Sequence, residues 1–268
     1  ISTNFLKPIL IALDWGSTRF RGWLLDSLGN EIDSINLELG ILKIHDSKYI
    51  NVFEELLGSW IRENGNISVI ASGMIGSRQG WIEAPYLDCP IGPDELAGHL
   101  TYIDINSNIL NKSVTMAIVP GIKLLGEGVP DVMRGEETQV AGLIWSKQQY
   151  GLCVLPGTHS KWVFTKNGRI EAFTTFMSGE LFALMVEYSI LNRLMDGKRF
   201  KKDAFLIGCN QSLNSSYGIL KQIFSARTMG LFEKLEPKGI YSYLSGIIIG
   251  YEIKEGLDIY FRNKICNE

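Results

Sequence analysis

Hydrophobic and polar positions follow one pattern twice in this chain. Residues 9–26 have the sequence I-L-I-A-L-D-W-G-S-T-R-F-R-G-W-L-L-D, and residues 152–170 have the sequence L-C-V-L-P-G-T-H-S-K-W-V-F-T-K-N-G-R-I. Each segment contains an apolar run, a glycine followed by a hydroxyl residue, a basic residue, a tryptophan and further apolar residues. Because the apolar runs are of the β type, each segment is predicted to form a strand, a tight turn and a second strand.

The first half of the chain contains three further predicted elements and one long loop. Apolar residues at helical spacing predict a helix over residues 49–64. Short apolar runs predict buried strands at residues 67–72 and 114–119. Residues 73–93 between them are rich in glycine, proline and aromatic residues, which is typical of an extended functional loop.

Helices dominate the prediction for the second half. An amphipathic helix is predicted at residues 136–145, before the second hairpin. Three more helical stretches follow that hairpin: 180–195, 215–227 and 241–261. Strands followed by helices, twice over, predict an α/β protein of two related lobes. We place the boundary in a glycine-rich segment, so that the lobes are residues 1–125 and residues 126–268.

Composition and charge exclude several classes of protein. The 268 residues carry a formal net charge of −3 with both signs interspersed, which is not the pattern of a nucleic-acid-binding protein. Four widely spaced cysteines without a C-x-x-C pair argue against a disulfide framework or a zinc site and favour reduced thiols. The apolar segment at residues 8–13 is too short for a signal sequence or a membrane span. We therefore expect a cytoplasmic protein whose partners include neither nucleic acid nor membrane.

A carboxylate ends the first apolar strand. Asp14 precedes Gly16, Ser17 and Thr18, and their turn presents backbone N–H groups and hydroxyls that suit a phosphate. A carboxylate at the end of a buried strand costs stability unless it has a role. It can anchor Mg²⁺ beside the phosphates or bond to its own turn. The second copy of the hairpin favours the metal.

The turn of the second hairpin has the same chemistry. Thr158 and the amides around Gly157 are expected to face the transferring phosphate. We take Gly157, Thr158, His159 and Lys161 as candidates for nucleotide binding. For His159 a structural role is the favoured interpretation, because no second histidine or cysteine lies nearby to share a metal.

Two adjacent carboxylates open the helix predicted at residues 136–145. Glu136 and Glu137 follow Arg134 and Gly135, and acidic residues there are favoured by the helix dipole, so capping is one interpretation. Catalysis is the other, because a kinase needs a carboxylate to orient and deprotonate the attacking hydroxyl. Adjacent helical residues point about 100° apart, so only one of the two can face a given cleft. Arg134 can grip a carboxylate or a phosphate as a planar fork.

The loop that follows the strand at residues 67–72 has the composition of a sugar pocket. Gly73 and Gly76 allow close approach of a ligand, and Trp81 offers an apolar face with one N–H donor. Met74 and Ser77 belong to the same segment. A glycine-rich connection between a strand and a loop is the simpler alternative.

Taken together, these segments resemble a known family. A D-x-G-[ST] hairpin, a G-[DE] helix, a second G-T hairpin and then helices, in that order, are similar to the actin/hexokinase/Hsp70 nucleotide-binding superfamily. A closer resemblance is to the 2-dehydro-3-deoxygalactonokinase family. It is carried by I-A-L-D-W-G-S-T-R-F-R, A-S-G-M-I-G-S-R-Q-G-W-I-E-A-P-Y-L, V-P-G-I, V-M-R-G-E-E-T-Q, L-P-G-T-H-S-K-W-V, M-S-G-E-L and Y-L-S-G-I-I-I-G, which run in order along nearly the whole chain.

The resemblance implies a fold, a reaction and ligands. The fold is the α/β, two-lobed actin-like ATPase (ribonuclease H-like) fold of sugar kinases. The reaction is ATP-dependent phosphorylation of the terminal C6 hydroxyl of 2-dehydro-3-deoxy-D-galactonate in galactonate breakdown. The expected ligands are the sugar acid, ATP and Mg²⁺, over which the lobes close and exclude water. A homodimer is compatible with the sequence.

The resemblance also implies roles for individual residues. Glu136 falls where related sugar kinases carry the catalytic carboxylate. Asp14 belongs to the first phosphate motif as a catalytic, metal-binding residue, and Gly157 and Thr158 belong to the second. The candidates for contact with the sugar acid are Trp15, Arg21, Gly73, Met74, Gly76, Ser77, Trp81 and Arg134.

One departure from the superfamily pattern leaves alternatives open. The sequence up to Glu268 contains no late glycine-rich strand and helix of the kind that packs on adenine. Either the protein continues, or its second lobe is shortened and its ATP site incomplete. The alternatives to a kinase are a non-catalytic sugar-acid-binding protein of the same fold and a superfamily phosphatase. The sugar-type loop at residues 73–81 argues against the phosphatase.

Overall fold

The computed structural model shows an α/β chain that forms two compact units. It describes residues 7–44, 48–107, 112–126, 128–146 and 151–266. Unit 1 comprises Ile1–Gly151 and Thr165–Ala172, and unit 2 comprises Leu152–Phe164 and Phe173–Glu268. In the described part of the chain, no helix has both the length and the apolar composition needed to cross a bilayer.

Unit 1 contains strands with three helices between them. In chain order its elements are β1 (Pro8–Trp15), β2 (Phe20–Asp26), β3 (Glu31–Leu37), α1 (Tyr49–Asn64), β4 (Ser68–Ser72), β5 (Tyr86–Asp88), α2 (Pro93–Gly98), β6 (Thr101–Ser107), β7 (Lys112–Ile118), β8 (Gly121–Leu124), β9 (Asp131–Met133) and α3 (Glu136–Trp145). The first hairpin and helices α1 and α3 occur where the sequence predicted them.

Strands β1 to β9 form two sheets. The larger sheet has the order β3-β2-β1-β4-β7-β6, in which β1 pairs antiparallel with β2 and parallel with β4. The smaller sheet has the order β5-β8-β9. Since β9 pairs with β8, which in turn pairs with β5 from the predicted loop, the chain after residue 125 stays with unit 1. In this division the chain up to Gly151 belongs to unit 1, whereas the sequence analysis set the boundary after residue 125.

The two-residue period of β1 decides which side chains reach the core. Ile11, Leu13 and Trp15 are 0%, 3% and 0% exposed and pack against α1 residues such as Phe53. Asp14 alternates with them and therefore lies on the opposite face of the sheet. Near its C-terminal end the strand thus presents an acidic residue on the face opposite the core, while its neighbours fill the core.

Unit 2 combines the second hairpin with a helical layer. Its elements include the strands β10 (Gly151–Leu155), β11 (Ser160–Lys166) and β12 (Arg169–Phe176) and the helices α4 (Ser178–Tyr188), α5 (Lys202–Asn214), α6 (Ile219–Leu231) and α7 (Pro237–Cys266). Both β11 and β12 run from one unit into the other. Helix α5 packs on α7 through small residues: a Cβ on Gly208 or Gly246 would lie about 2.2 Å or 2.1 Å from backbone oxygen of the other helix.

Candidate active site

The first hairpin places a carboxylate beside a guanidinium. The register of β1 and β2 sets Asp14 opposite Arg21, and Arg21 Nη2 lies 2.6 Å from Asp14 Oδ2. The Asp14 side chain is 21% exposed and the Arg21 side chain is 44% exposed. Burial raises the pKa of the Asp14 carboxyl above its ordinary value, and the Arg21 charge opposes this rise. Asp14 is therefore an accessible acid held in one orientation.

A cleft of about 240 Å³ opens beside this pair, within unit 1. Its floor is apolar and comes from β1, β2 and β4. The polar side chains that line it are Asp14, Arg21, Ser72, Thr138 and Gln139. Since the last two belong to the first turn of α3, the end of β1 and the start of α3 share one cleft.

Two glycines bring the start of α3 against the end of β1. Gly73 and Gly135 have φ angles of +93° and +111°, which glycine adopts without strain. A Cβ on Gly73 would lie 2.9 Å from the Trp15 carbonyl oxygen and 3.3 Å from Asp14 Oδ1. A Cβ on Gly135 would lie 3.2 Å from the Gly73 Cα. These backbone contacts fix the spacing between Asp14 and α3.

The two carboxylates at the start of α3 have different environments. Glu137 is fully buried, where its Oε2 accepts the Gly135 N–H at 2.7 Å and its Oε1 accepts the Thr138 hydroxyl at 3.2 Å. Burial raises the pKa of Glu137 to about 8, with a further contribution from the charge of Glu136. Glu136 is half-buried, and no hydrogen bond or ion pair joins its side chain to the rest of the described structure. Of the two side chains, that of Glu136 is the more exposed, and neither is among the residues that line the cleft.

Arg134 is buried, at 7% exposure. Its Nη2 donates to the Ala84 carbonyl at 2.7 Å, and its Cζ lies 4.2 Å from the centroid of the Tyr86 ring. Its Nε and Nη1 are also buried, and neither has a hydrogen-bond partner among the described residues. Arg134 thus connects the start of α3 to Ala84 and Tyr86 in the loop predicted at residues 73–93. Its Nε and Nη1 nitrogens are not used in this connection.

The predicted sugar loop packs into the core of unit 1. Trp15 is 0% exposed, since β1 turns it away from the Asp14 face. Trp81 is half-buried and stacks on Tyr49 with ring centroids 5.7 Å apart. Gly76 and Ser77 are buried, and the Ser77 hydroxyl donates to a backbone carbonyl at 2.7 Å. Trp15, Gly76 and Ser77 are therefore buried in this structure, while Met74 and Trp81 lie at the margin of the core.

The turn of the second hairpin is open and is supported by α4. Gly157, Thr158 and His159 are exposed. The Thr158 carbonyl accepts the Glu180 N–H at 3.0 Å, and His159 Nε2 lies 2.6 Å from Glu180 Oε2. A Cβ on Gly179 would lie 2.3 Å from the Gly157 carbonyl oxygen. Glu180 thus contacts the turn through both its backbone N–H and its carboxylate, while the turn itself stays exposed.

Side chains after this turn are fixed inside unit 2. Lys161 is 6% exposed and its Nζ donates to the Thr175 hydroxyl at 2.8 Å, so it is placed in the interior and not at the open turn. Glu252 of α7 accepts the Ser160 hydroxyl at 2.7 Å and the Trp162 indole N–H at 2.8 Å. This buried carboxylate clamps the start of β11 to α7.

Several residues of these sites escaped the sequence reasoning. Thr138 and Gln139 lie within the quoted segment V-M-R-G-E-E-T-Q, and their spacing from Glu136 was the available signal. Ser72 closes a strand that we treated only as core. Glu252 lies 92 residues from Ser160 along the chain, so no local pattern connects the two.

The sequence model of the 2-keto-3-deoxy-galactonokinase family matches residues 14–266. The chain belongs to this family. It is 33% identical over 243 residues to the 2-dehydro-3-deoxygalactonokinase of Escherichia coli K12, covering 91% of this chain and 78% of that protein. A crystal structure described as a 2-dehydro-3-deoxygalactonokinase from Sinorhizobium meliloti is similar at a TM-score of 0.84 and 31% identity, over 93% of this chain and 82% of that one.

Membership of the 2-keto-3-deoxy-galactonokinase family confirms three predictions. The resemblance read from the motifs is correct, the fold is the α/β sugar-kinase fold, and the protein is a sugar-acid kinase. A kinase of this kind uses ATP as phosphoryl donor. The alternatives of a nucleotide-free binding protein and of a phosphatase therefore lose their support.

The carboxylates of this kinase suit a metal ion that is bound partly by the phosphates of ATP. Within the described residues, no group of three or more His, Cys, Asp or Glu side chains could hold a metal ion by itself. Asp14 supplies one carboxylate beside an open cleft. Mg²⁺ commonly takes one or two carboxylates together with phosphate oxygens and waters, so the residues present fit Mg²⁺ bound to ATP.

Proposed function

We propose that this kinase transfers the γ-phosphoryl group of ATP to the C6 hydroxyl of 2-dehydro-3-deoxy-D-galactonate, a step of galactonate breakdown, in the cytoplasm. The names of its relatives support the substrate. The observation that carries the proposal is the unit 1 cleft, where the Asp14–Arg21 pair meets the first turn of α3.

Glu136 is the proposed catalytic carboxylate. It is half-buried at the N-terminus of α3, and its side chain is not used by any hydrogen bond or ion pair to another described residue. A carboxylate in this state can accept a hydrogen bond from the substrate hydroxyl, orient it, and take its proton as the new O–P bond forms. Glu137 is excluded from this role because it is buried and already bonded.

Asp14 and Arg21 are proposed to serve the phosphates. Asp14 would hold Mg²⁺ together with phosphate oxygens and water, and the ion would supply positive charge to the transferring group. Arg21 lies 2.6 Å from Asp14, so a cation that binds Asp14 frees the guanidinium to neutralise a phosphate oxygen. In this proposal Arg21 acts on the phosphates, whereas the sequence analysis had taken it as a candidate for contact with the sugar acid. Gly157 and Thr158 would bind phosphate through the exposed turn of the second hairpin.

Arg134 is the proposed partner of the substrate's carboxylate. Its Nε and Nη1 have no hydrogen-bond partner in the described structure, and leaving buried donors unpaired costs free energy. An anionic group would satisfy both. Because these atoms are shielded from solvent, the contact requires the residues around Gly76, whose Cβ position lies 3.1 Å from Nη1, to move.

A coupled ADP-release assay with purified protein tests the proposal. The expected result is ATP-dependent turnover of 2-dehydro-3-deoxy-D-galactonate, with the product phosphate on C6 by ³¹P and ¹³C NMR. The matched controls are the gluco epimer, the same acid reduced at C2, and a neutral sugar. Turnover of the neutral sugar but not of the sugar acid, or release of inorganic phosphate from a phosphorylated sugar acid, would refute it.

A further inference from the structure

Glu137, the second of the two adjacent carboxyl groups at the start of α3, is buried and hydrogen-bonded within its own turn. We infer that Glu137 is a positioning residue, which holds the backbone of Gly135 so that the neighbouring Glu136 is presented to the reacting hydroxyl. Glu137 itself does not contact the substrate. The inference goes beyond the proposed function and rests on the catalytic role proposed there for Glu136.

The first support is the way in which α3 begins. Gly135 is the N-cap residue and has no side chain with which to cap the helix. Glu137 lies inside the first turn and reaches back to this residue, because its Oε2 accepts the Gly135 N–H at 2.7 Å. Its Oε1 accepts the Thr138 hydroxyl at 3.2 Å. The carboxyl group of Glu137 thus bonds to Gly135, just before Glu136, and to Thr138, two residues after it.

The second support is that Gly135 is held from its other side as well. Its Cα packs on Gly73, which in turn packs on the Trp15 carbonyl and approaches Asp14 Oδ1. Gly135 therefore lies between a backbone contact, which fixes its distance from Asp14, and a hydrogen bond, which fixes its orientation. If the hydrogen bond is lost, the turn at φ +111° can rotate while the contact remains. Such a rotation moves Glu136, the next residue.

The third support is that Glu137 has no route to a ligand. Its side chain is 0% exposed, and its two carboxyl oxygens are bonded to Gly135 and Thr138. What the site requires at this position is an acceptor of the right reach. The amide oxygen of glutamine has that reach, whereas an aspartate is shorter by one methylene and cannot bond to Gly135 from the same backbone position.

Four variants of the full chain test the inference: the single variants Glu137→Gln, Glu137→Asp and Glu136→Gln, and the double variant Glu136→Gln/Glu137→Asp. Folding is checked by circular dichroism. We expect Glu137→Gln to keep kcat within about threefold, and Glu137→Asp to lower kcat by about tenfold or more with both KM values within about threefold. In the Glu136→Gln background, Glu137→Asp should cost less than about twofold more, because the two residues act on one step.

The outcomes separate this inference from the proposed function. If Glu136→Gln alone retains full turnover, the proposed catalytic role fails. If Glu136→Gln is impaired but the loss from Glu137→Asp multiplies in the double variant, Glu137 acts independently and the inference alone fails. A higher kcat for Glu137→Asp than for Glu137→Gln would also overturn it, because charge and not reach would then be required.

Discussion

Replacement of Glu137 by glutamine should change the pH dependence of stability in a calculable way. Burial raises the pKa of this carboxyl from 4.5 to about 8 in the folded protein. Between those values the folded state keeps a proton that the unfolded chain has lost, so the contribution of Glu137 is full below about pH 4.5 and is lost as the pH rises through about 8. At about 1.36 kcal/mol per pKa unit, the loss is on the order of 5 kcal/mol. Glutamine does not titrate and should abolish it.

The measurement is urea unfolding of the wild type and of Glu137→Gln at pH 5, 6, 7 and 8, followed by circular dichroism. The quantity of interest is the difference between the two unfolding free energies at each pH, because other titrating groups such as Asp14 contribute equally to both proteins. From pH 5 to pH 8 we expect the wild type to lose several kcal/mol of unfolding free energy relative to Glu137→Gln. Parallel pH profiles would refute the reasoning, since they would show that Glu137 titrates alike in both states.

Two further predictions concern the two phosphate hairpins. Asp14→Asn should raise the KM for Mg·ATP by about tenfold or more while calorimetry without nucleotide shows sugar-acid affinity within about twofold of the wild type; a collapse of sugar-acid binding instead would place Asp14 on the sugar side. Gly179→Ala should raise the KM for ATP by a similar factor, because the new Cβ would lie 2.3 Å from the Gly157 carbonyl oxygen and displace the second turn. Its control is Gly142→Ala, where a Cβ meets nothing within 4 Å; equal effects of the two changes would show that the turn geometry is irrelevant.

The helices with a clear apolar stripe could be predicted from the sequence alone. Helices α1 and α3 begin and end at the predicted residues, because an apolar stripe at helical spacing specifies each of them. Helix α5 was missed, because the residues that it buries include Ala204, Gly208 and Ser212. This stripe of small residues packs closely on α7 but carries little hydrophobic signal.

In the candidate site, too, contacts set by local sequence were predictable and contacts between distant parts of the chain were not. The opposition of Asp14 and Arg21 follows from a hairpin register, and the sequence located both residues. The face on which a residue lies was harder to assign: Trp15 follows Asp14 directly, yet the strand period directs it to the core. The clamp between Glu252 and Ser160 depends on tertiary packing across 92 residues, which no local pattern contains.

The most direct test of the account is the single-turnover rate of Glu136→Gln with saturating Mg·ATP and 2-dehydro-3-deoxy-D-galactonate, compared with Glu137→Gln under the same conditions. The account predicts that Glu136→Gln binds the sugar acid with wild-type affinity and transfers the phosphoryl group about 10²-fold more slowly or worse, since the carboxylate that orients and deprotonates the hydroxyl is gone. Glu137→Gln should transfer it at nearly the wild-type rate. Near-normal transfer by Glu136→Gln, with sugar-acid binding intact, would contradict the account.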